Sequence, residues 1–159
     1  LVPVEIIGAV KIGTLVLVAV FLISFLLTGA SAGIAFRYMC NAMLALFLGI
    51  ITGALVSPLL LPWLPGRSFA FKGLLPGIVG AAVFLLLQWH GQTDGKAFEL
   101  YAWLPSIPVV STYLAMNFTG SSTFTSLSGV RKEMGRAVPL QILGATCGLV
   151  LWIISLIMQ

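Results

Sequence analysis

Charged residues divide this chain into five long apolar segments. Each uncharged run has 21 to 31 residues, and the five runs are 12–36, 38–66, 73–93, 100–130 and 137–159. About 20 helical residues, at roughly 1.5 Å rise each, cross the hydrocarbon core of a bilayer. The runs are continuous and lack the alternating segments of about ten residues that are typical of outer-membrane barrel strands. The pattern predicts an all-α, polytopic membrane protein, a single-domain bundle of five transmembrane helices.

Composition agrees with a chain surrounded by lipid. Hydrophobic residues make up 60% of the 159 positions and charged residues only 8%, which is far from the usage of a soluble domain. The net charge of +4 comes from eight lysines and arginines spread over the connections, so it forms no basic stripe. We therefore expect the lipid bilayer as a partner and no nucleic acid.

The distribution of cations predicts the orientation. With five crossings, the amino terminus, the 62–72 connection and the 119–136 connection share one side and carry six of the eight cations. The opposite side carries only Arg37 and Lys96. Because cytoplasmic connections are enriched in lysine and arginine, we expect the amino terminus in the cytoplasm, the carboxyl terminus outside, and the chain in the cytoplasmic membrane.

Small residues recur at spacings of four in three of the predicted helices. Such spacing puts them on one helix face, where another helix can approach closely. The candidate packing residues are Gly49, Gly53, Gly73, Gly77, Gly144 and Gly148. The alternative is a pore lined by these glycines. Four aromatic residues fall at predicted helix ends, where rings prefer the headgroup zone: Tyr38, Trp63, Trp89 and Tyr101.

The fourth predicted helix, about 98–118, is irregular. Pro105 and Pro108 remove two backbone donors inside it, so we expect a kink. Ser106, Tyr113 and Asn117 fall close to one face. A proline-broken helix with a polar stripe forms binding sites in transporters. Alternatively, these groups satisfy freed carbonyls or neighbouring helices.

The connection after this helix is rich in hydroxyl groups. Seven of the ten residues from 119 to 128 are serine or threonine, and basic residues follow. This pattern predicts a cytoplasmic docking or anion-binding loop whose candidate residues are Asn117, Thr119, Ser121, Ser122, Thr123, Ser128, Arg131, Lys132 and Arg136. The alternative is a loop whose hydroxyls cap its own turns, followed by a short interfacial helix from Val130.

The chain offers little for catalysis. His90 is the only histidine, no carboxylate falls near a predicted midplane, and no phosphate-binding glycine loop occurs. The predicted topology separates Cys40 from Cys147, so we expect no disulfide. The simplest interpretation of Cys147 is a small buried apolar residue, and a soft-metal ligand is the alternative. We therefore assign no catalytic, cofactor-binding or metal residue to this chain.

Three motifs together resemble a known family. They are the segments 61–67 (LPWLPGR), 116–120 (MNFTG) and 126–134 (SLSGVRKEM). They look like the carboxyl-terminal membrane domain of the HgcA family, the corrinoid proteins of microbial mercury methylation. The resemblance covers the whole chain and implies five helices that follow a cytoplasmic corrinoid-binding domain. The start at Leu1 rather than methionine fits the expectation of a preceding segment.

The resemblance implies that the chemistry lies elsewhere. In that family the soluble domain holds a cobalamin-type corrinoid through a cysteine in an Asn-x-Trp-Cys-Ala-Ala-Gly-Lys run and passes a methyl group to Hg(II). This run is absent from the present sequence, so neither Cys40 nor Cys147 takes that role. A ferredoxin-like iron–sulfur partner that re-reduces the cobalt is also implied.

Three functions follow as hypotheses. The first is a membrane anchor and docking domain of a mercury methyltransferase, contacting its own corrinoid domain. The second is a small permease or channel that passes a metal–thiol species or another small solute near the fourth helix, and a homodimer would suit this function because five helices enclose little space. The third is a subunit that binds a lipid or quinone.

Overall fold

The computed structural model describes residues 2–29, 31–60, 62–63, 69–89, 97–120 and 127–158. Within these ranges all regular structure is helical, as the sequence predicts. The elements are α1 (Val2–Leu27), α2 (Ala32–Ile50), a π-helical segment (Ile51–Val56), α3 (Ser57–Leu60), α4 (Phe69–Trp89), α5 (Ala97–Gly120) and α6 (Leu127–Ile157). Because α2, the π-helical segment and α3 are continuous, they form one rod, and the described chain has five rods.

Four of these rods are long and apolar enough to cross a bilayer. Among the described residues the candidate spans are Ile6–Leu27, Ala32–Leu60, Ala70–Gln88 and Met134–Ile157. Their outer faces carry large aliphatic side chains, and Leu15, Leu86 and Leu140 are 72%, 70% and 68% exposed. Apolar surface of this extent is stable in lipid rather than in water. The fold is therefore typical of a multi-pass membrane protein.

The remaining rod, α5, lies at the centre of the bundle. It has 24 residues and is not among the four candidate spans, and it contains Glu99, two prolines and several hydroxyl residues. Buried side chains occur along its length from Leu100 to Met116. It packs against α4, α6 and the α2 rod, whereas α1 packs mainly against α2. Its neighbours thus separate much of α5 from the surroundings.

Contacts along α5 define the direction of its neighbours. The α2 rod runs parallel to α5, because Asn41 contacts Glu99 and Gly53 lies against Ser111, with the same separation of 58 residues in each pair. α4 and α6 run antiparallel to α5. Gly73 lies against Thr112 and Gly80 against Ile107, while Gly144 lies against Val109 and Gly148 against Ala102. In chain order, α2, α4, α5 and α6 therefore alternate in direction.

Glycines bring these helices into backbone contact. A Cβ atom built on Gly77 would lie 2.6 Å from the Cα of Pro108, and one on Gly53 would lie 2.8 Å from the Cα of Ser111. Similarly short approaches to α5 are found at Gly49, Gly73, Gly144 and Gly148. Larger side chains would push the helices apart, because close approach of this kind depends on the missing Cβ. The glycine-bearing faces are occupied by α5.

The π-helical segment ends at Val56, two residues before Pro58. A proline inside a helix lacks an amide hydrogen and crowds the carbonyl group four residues earlier, which here belongs to Ala54. The wider π turn relieves this crowding. Ser57 completes the turn, since both its amide and its hydroxyl donate to the Thr52 carbonyl oxygen, the hydroxyl at 2.7 Å.

Several predicted helix boundaries were wrong in the same way. The second helix begins at Ala32 rather than within the uncharged run 38–66, and the third begins at Phe69 rather than within the run 73–93. The last helix begins at Leu127, ten residues before the uncharged run 137–159 that predicts it. Helices extend past their terminal charges because long cationic side chains reach the headgroup region from inside the helix. Uncharged runs therefore mark the apolar part of a helix and not its ends.

Replacing glycine at the α5 contacts should destabilise the fold. We expect Gly53→Ala and Gly77→Ala each to lower the free energy of unfolding by about 1–3 kcal/mol, because the new methyl group meets backbone atoms of α5 that cannot move aside independently. Reversible unfolding in mixed detergent–SDS micelles measures this change.

The matched control is Gly135→Ala in α6, where nothing lies within 4 Å of the added Cβ. Alanine there should leave stability unchanged or raise it by up to about 1 kcal/mol, because alanine favours the helix. Equal effects at positions 53, 77 and 135 would contradict the packing described above.

Candidate functional site

A buried carboxylate lies at the end of the bundle where α2 and α5 begin. Glu99 is only 2% exposed, and it sits in the first turn of α5. Its Oε1 accepts a hydrogen bond of 2.7 Å from the Nδ2 of Asn41 in α2. Its Oε2 lies 3.8 Å from the Nε of Arg37, one turn earlier in α2. We call this the Glu99 end of the bundle.

Arg37 is held beside Glu99 without a direct hydrogen bond to it. The separation of 3.8 Å exceeds the 2.7–2.9 Å that is usual for a charge-assisted hydrogen bond. The Nε and Nη2 atoms of Arg37 are buried and have no hydrogen-bond partner, while the side chain as a whole is 33% exposed. The guanidinium also lies over the ring of Tyr38, 5.5 Å from its centre. Arg37 therefore has one face towards the carboxylate and part of its side chain at the surface.

Two further hydrogen-bond contacts join other helices to the Glu99 end. The Nε2 of Gln88, in the last turn of α4, donates to the Oδ1 of Asn41. The hydroxyl of Tyr38 lies 2.9 Å from the Oγ of Ser155 in α6. Side-chain hydrogen bonds thus connect α2 with α4, α5 and α6 at this level. In a bilayer such bonds stabilise helix association by about 0.6–2 kcal/mol each.

The sequence prediction missed this arrangement. It assigned Glu99 and Arg37 to external connections and Tyr38 to the headgroup interface, whereas Tyr38 is 0% exposed and Glu99 is buried inside the bundle. A buried charge is tolerated when an opposite charge and polar groups face it, and neither is visible in a hydropathy pattern. One signal was available, because Arg37 and Glu99 fall at the same predicted end of their helices.

The predicted hydroxyl-rich loop is shorter than expected. The backbone of Thr119 belongs to α5, and Ser128 and Arg131 belong to α6, so most of the predicted 119–136 loop is helical. Helical structure extends here because a charged helix end leaving the bilayer still forms its own backbone hydrogen bonds. Three of the predicted residues lie outside the described residues: Ser121, Ser122 and Thr123. Asn117 is partly buried near the end of α5.

The first turns of α6 extend beyond α5. The Nε2 of Gln141 donates to the Sδ of Met116, so these two residues lie at the same height along the bundle axis. α5 ends four residues after Met116, whereas α6 begins fourteen residues before Gln141. α6 therefore projects by about ten residues, or about 15 Å along its axis. Lys132 and Arg136 are exposed on this projection, which we call the Lys132 end of the bundle.

Hydroxyl groups in the middle of α5 do not form one polar stripe. Ser106 and Thr112 donate to carbonyl oxygens of α5 itself, at 3.1 and 2.6 Å. Ser111 donates to the carbonyl oxygen of Gly73 in α4, at 2.9 Å. Tyr113 is 50% exposed, on the outside of the bundle. The hydroxyls of Ser106, Ser111 and Thr112 thus donate hydrogen bonds to backbone carbonyl groups of α5 and α4.

The cysteines are free and lie in different surroundings. Cys40 is half-buried in α2, and Cys147 is exposed on α6. The expectation that Cys147 is buried was wrong, because Gly144 and Gly148 turn their side of α6 towards α5 and Cys147 faces outwards. Within the described part of the chain no group of three histidine, cysteine or acidic residues comes together to hold a metal ion. His90 lies outside the described residues.

Comparison with known proteins identifies no family for this chain. No family model matches the chain, and no curated protein or solved structure matches it.

The pairing of Arg37 with Glu99 can be tested by a double-mutant cycle. Arg37→Gln should lower the free energy of unfolding by about 1–3 kcal/mol, because it removes the guanidinium that lies 3.8 Å from the buried carboxylate. Adding Glu99→Gln to this variant should restore at least about 1 kcal/mol, since the negative charge that faced Arg37 is then removed as well. SDS-driven unfolding measures each of the four proteins.

The control is Thr146→Ala in α6, whose hydroxyl is exposed and bonds only to carbonyl groups of its own helix. This change should have little effect and should not couple to either residue. Additive losses for Arg37→Gln and Glu99→Gln would show that the two side chains do not interact.

Proposed function

We propose that this chain is the membrane anchor and docking domain of a corrinoid-dependent methyltransferase that converts Hg(II) to methylmercury. The methyl transfer takes place in a cytoplasmic domain that precedes Leu1. The proposal joins the family resemblance of the three sequence motifs to one structural observation, the exposed basic start of α6 beyond the end of α5. A projecting, positively charged helix end offers a soluble domain a surface that the apolar sides of the bundle cannot offer.

The proposal includes a topology of five crossings with the amino terminus in the cytoplasm. The alternating directions of α2, α4, α5 and α6 support it, because parallel and antiparallel neighbours of similar length reach the same two ends of the bundle. The bias of six cations against two supports a cytoplasmic position for the Lys132 end. In this topology α5 crosses the cytoplasmic membrane with the other helices packed around it.

The corrinoid belongs to the preceding domain in this proposal. This chain contributes docking and attachment, because its two cysteines lie within α2 and on the outward face of α6, away from the Lys132 projection. The ferredoxin-like iron–sulfur partner would meet the corrinoid domain on the same side of the membrane. The first check is the sequence upstream of Leu1, where the proposal expects the Asn-x-Trp-Cys-Ala-Ala-Gly-Lys run.

Charge reversal on the projection tests docking. In the combined variant Arg131→Glu, Lys132→Glu and Arg136→Glu, we expect the dissociation constant between the separately expressed soluble domain and the membrane domain to rise at least about tenfold, which corresponds to about 1.4 kcal/mol. Binding weakens because the three glutamates repel the acidic groups of the soluble domain that the cations are proposed to attract. Microscale thermophoresis of detergent-solubilised chain with labelled soluble domain measures this constant.

Two controls separate docking from a change in net charge. Lys11→Glu, an exposed position on α1, should change the constant less than about twofold. The triple replacement by glutamine should give an intermediate effect that shrinks as salt is added, since exposed charges are screened. Unaltered association of the triple glutamate variant would remove the proposed docking surface.

A small permease is a second candidate, favoured by the buried Glu99 and its neighbour Arg37. Ionisable groups inside membrane proteins commonly mark solute pathways. If the chain is a permease, liposomes containing it should take up a Hg(II)–bis-thiol complex faster than empty liposomes, and Glu99→Gln should reduce that rate. The anchor function predicts equal uptake by both kinds of liposome.

A further inference from the structure

We propose that Glu99 is a proton-binding site, and that its protonation loosens the contact between α2 and α5 at the Glu99 end. This inference concerns a property of the bundle itself and does not depend on the identity of a cytoplasmic domain.

The surroundings of Glu99 suit both of its protonation states. As an ionised carboxylate it only accepts hydrogen bonds, and the Nδ2 of Asn41 donates to it at 2.7 Å. As a carboxylic acid it gains one O–H donor, for which the Oδ1 of Asn41 is an acceptor on the same side chain after rotation of the amide. The same rotation turns the Nδ2 of Asn41 towards Gln88, whose own amide can rotate so that its Oε1 accepts the hydrogen bond. Asn41 can thus serve the site before and after proton uptake.

The two charges of the pair differ in their access to the surface. Glu99 is 2% exposed and stays inside the bundle in either state, whereas Arg37 is 33% exposed. An arginine remains charged throughout the physiological range, so the proton is gained or lost by the carboxylate. When a proton from water binds to a carboxylate oxygen of Glu99, the Coulomb attraction to Arg37 disappears and no covalent bond breaks. The guanidinium is then free to turn towards water and lipid headgroups, which loosens this part of α2 from α5.

Besides Arg37, the other titratable groups close in sequence to the site within the described residues are on α2 and α5. They are Tyr38 and Cys40 on α2 and the exposed Tyr101 on α5. The neighbouring turns of α4 and α6 contribute Gln88 and Ser155, which do not ionise in the physiological range. Glu99 is therefore the sole carboxylate in the described part of this end, and proton uptake here is assigned to it.

Infrared difference spectroscopy of the whole chain in lipid tests proton binding directly. Acidification should produce a carboxylic acid C=O stretching band that is sensitive to deuterium, and Glu99→Gln should lack this component. Glu133→Gln, a change of the same kind in the first turns of α6, should retain it. Identical difference spectra for the wild type and Glu99→Gln at every pH would overturn the proposal without reliance on the stability of any other variant.

Alkylation of Cys40 tests the loosening of α2. In a Cys147→Ala background at constant neutral pH, the neutral Glu99→Gln variant should react with N-ethylmaleimide at least about threefold faster than its parent, because Cys40 lies one turn from Arg37. Glu133→Gln should react at the parental rate, and circular dichroism should show the same helix content in all three proteins. Equal Cys40 rates in Glu99→Gln and its parent would contradict the coupling between protonation and helix contact.

Discussion

Backbone contact between α5 and its neighbours is the constraint on which the rest of this structure depends. Lipid tails are as apolar as leucine, so the hydrophobic effect does little to hold membrane helices together, and close packing must do so. Gly53, Gly73, Gly77 and Gly148 allow three rods to approach α5 from different sides. If these rods lay further apart, a glutamate and several hydroxyl groups of α5 would lose the helices that now cover them, and in the five-crossing topology that we propose lipid could not solvate these groups.

Central placement of α5 also explains the difference between the two ends of the bundle. At the Glu99 end, hydrogen bonds from Asn41, Gln88 and Tyr38 link four helices, so these polar groups stabilise the bundle. At the Lys132 end, α6 continues beyond the end of α5, and Lys132 and Arg136 are exposed. The first end therefore contains the buried carboxylate for which we propose proton binding, and the second contains the exposed cations for which we propose docking of a soluble domain.

Local sequence patterns were informative where one helix determines the outcome. Apolar length identified the α1 and α6 rods, and the spacing of four picked out glycines that lie against α5, because a helix presents such residues on one face whatever surrounds it. The burial of Tyr38 and Glu99 could not be predicted in this way. Their environment is created by residues far away in sequence, such as Ser155 and Gln88, and a hydropathy pattern counts a charge without its partner.

Labelling of the chain in a bilayer by a lipid-soluble carbene reagent, mapped by mass spectrometry, tests the central position of α5 most directly. It needs no substitution and reports which side chains touch lipid. The account predicts dense labelling of α1 around Leu15 and of the outer face of α6 around Leu143, with little labelling of α5 between Trp103 and Met116 except at Tyr113. Labelling of α5 around its whole circumference, at the density found for α1, would contradict it.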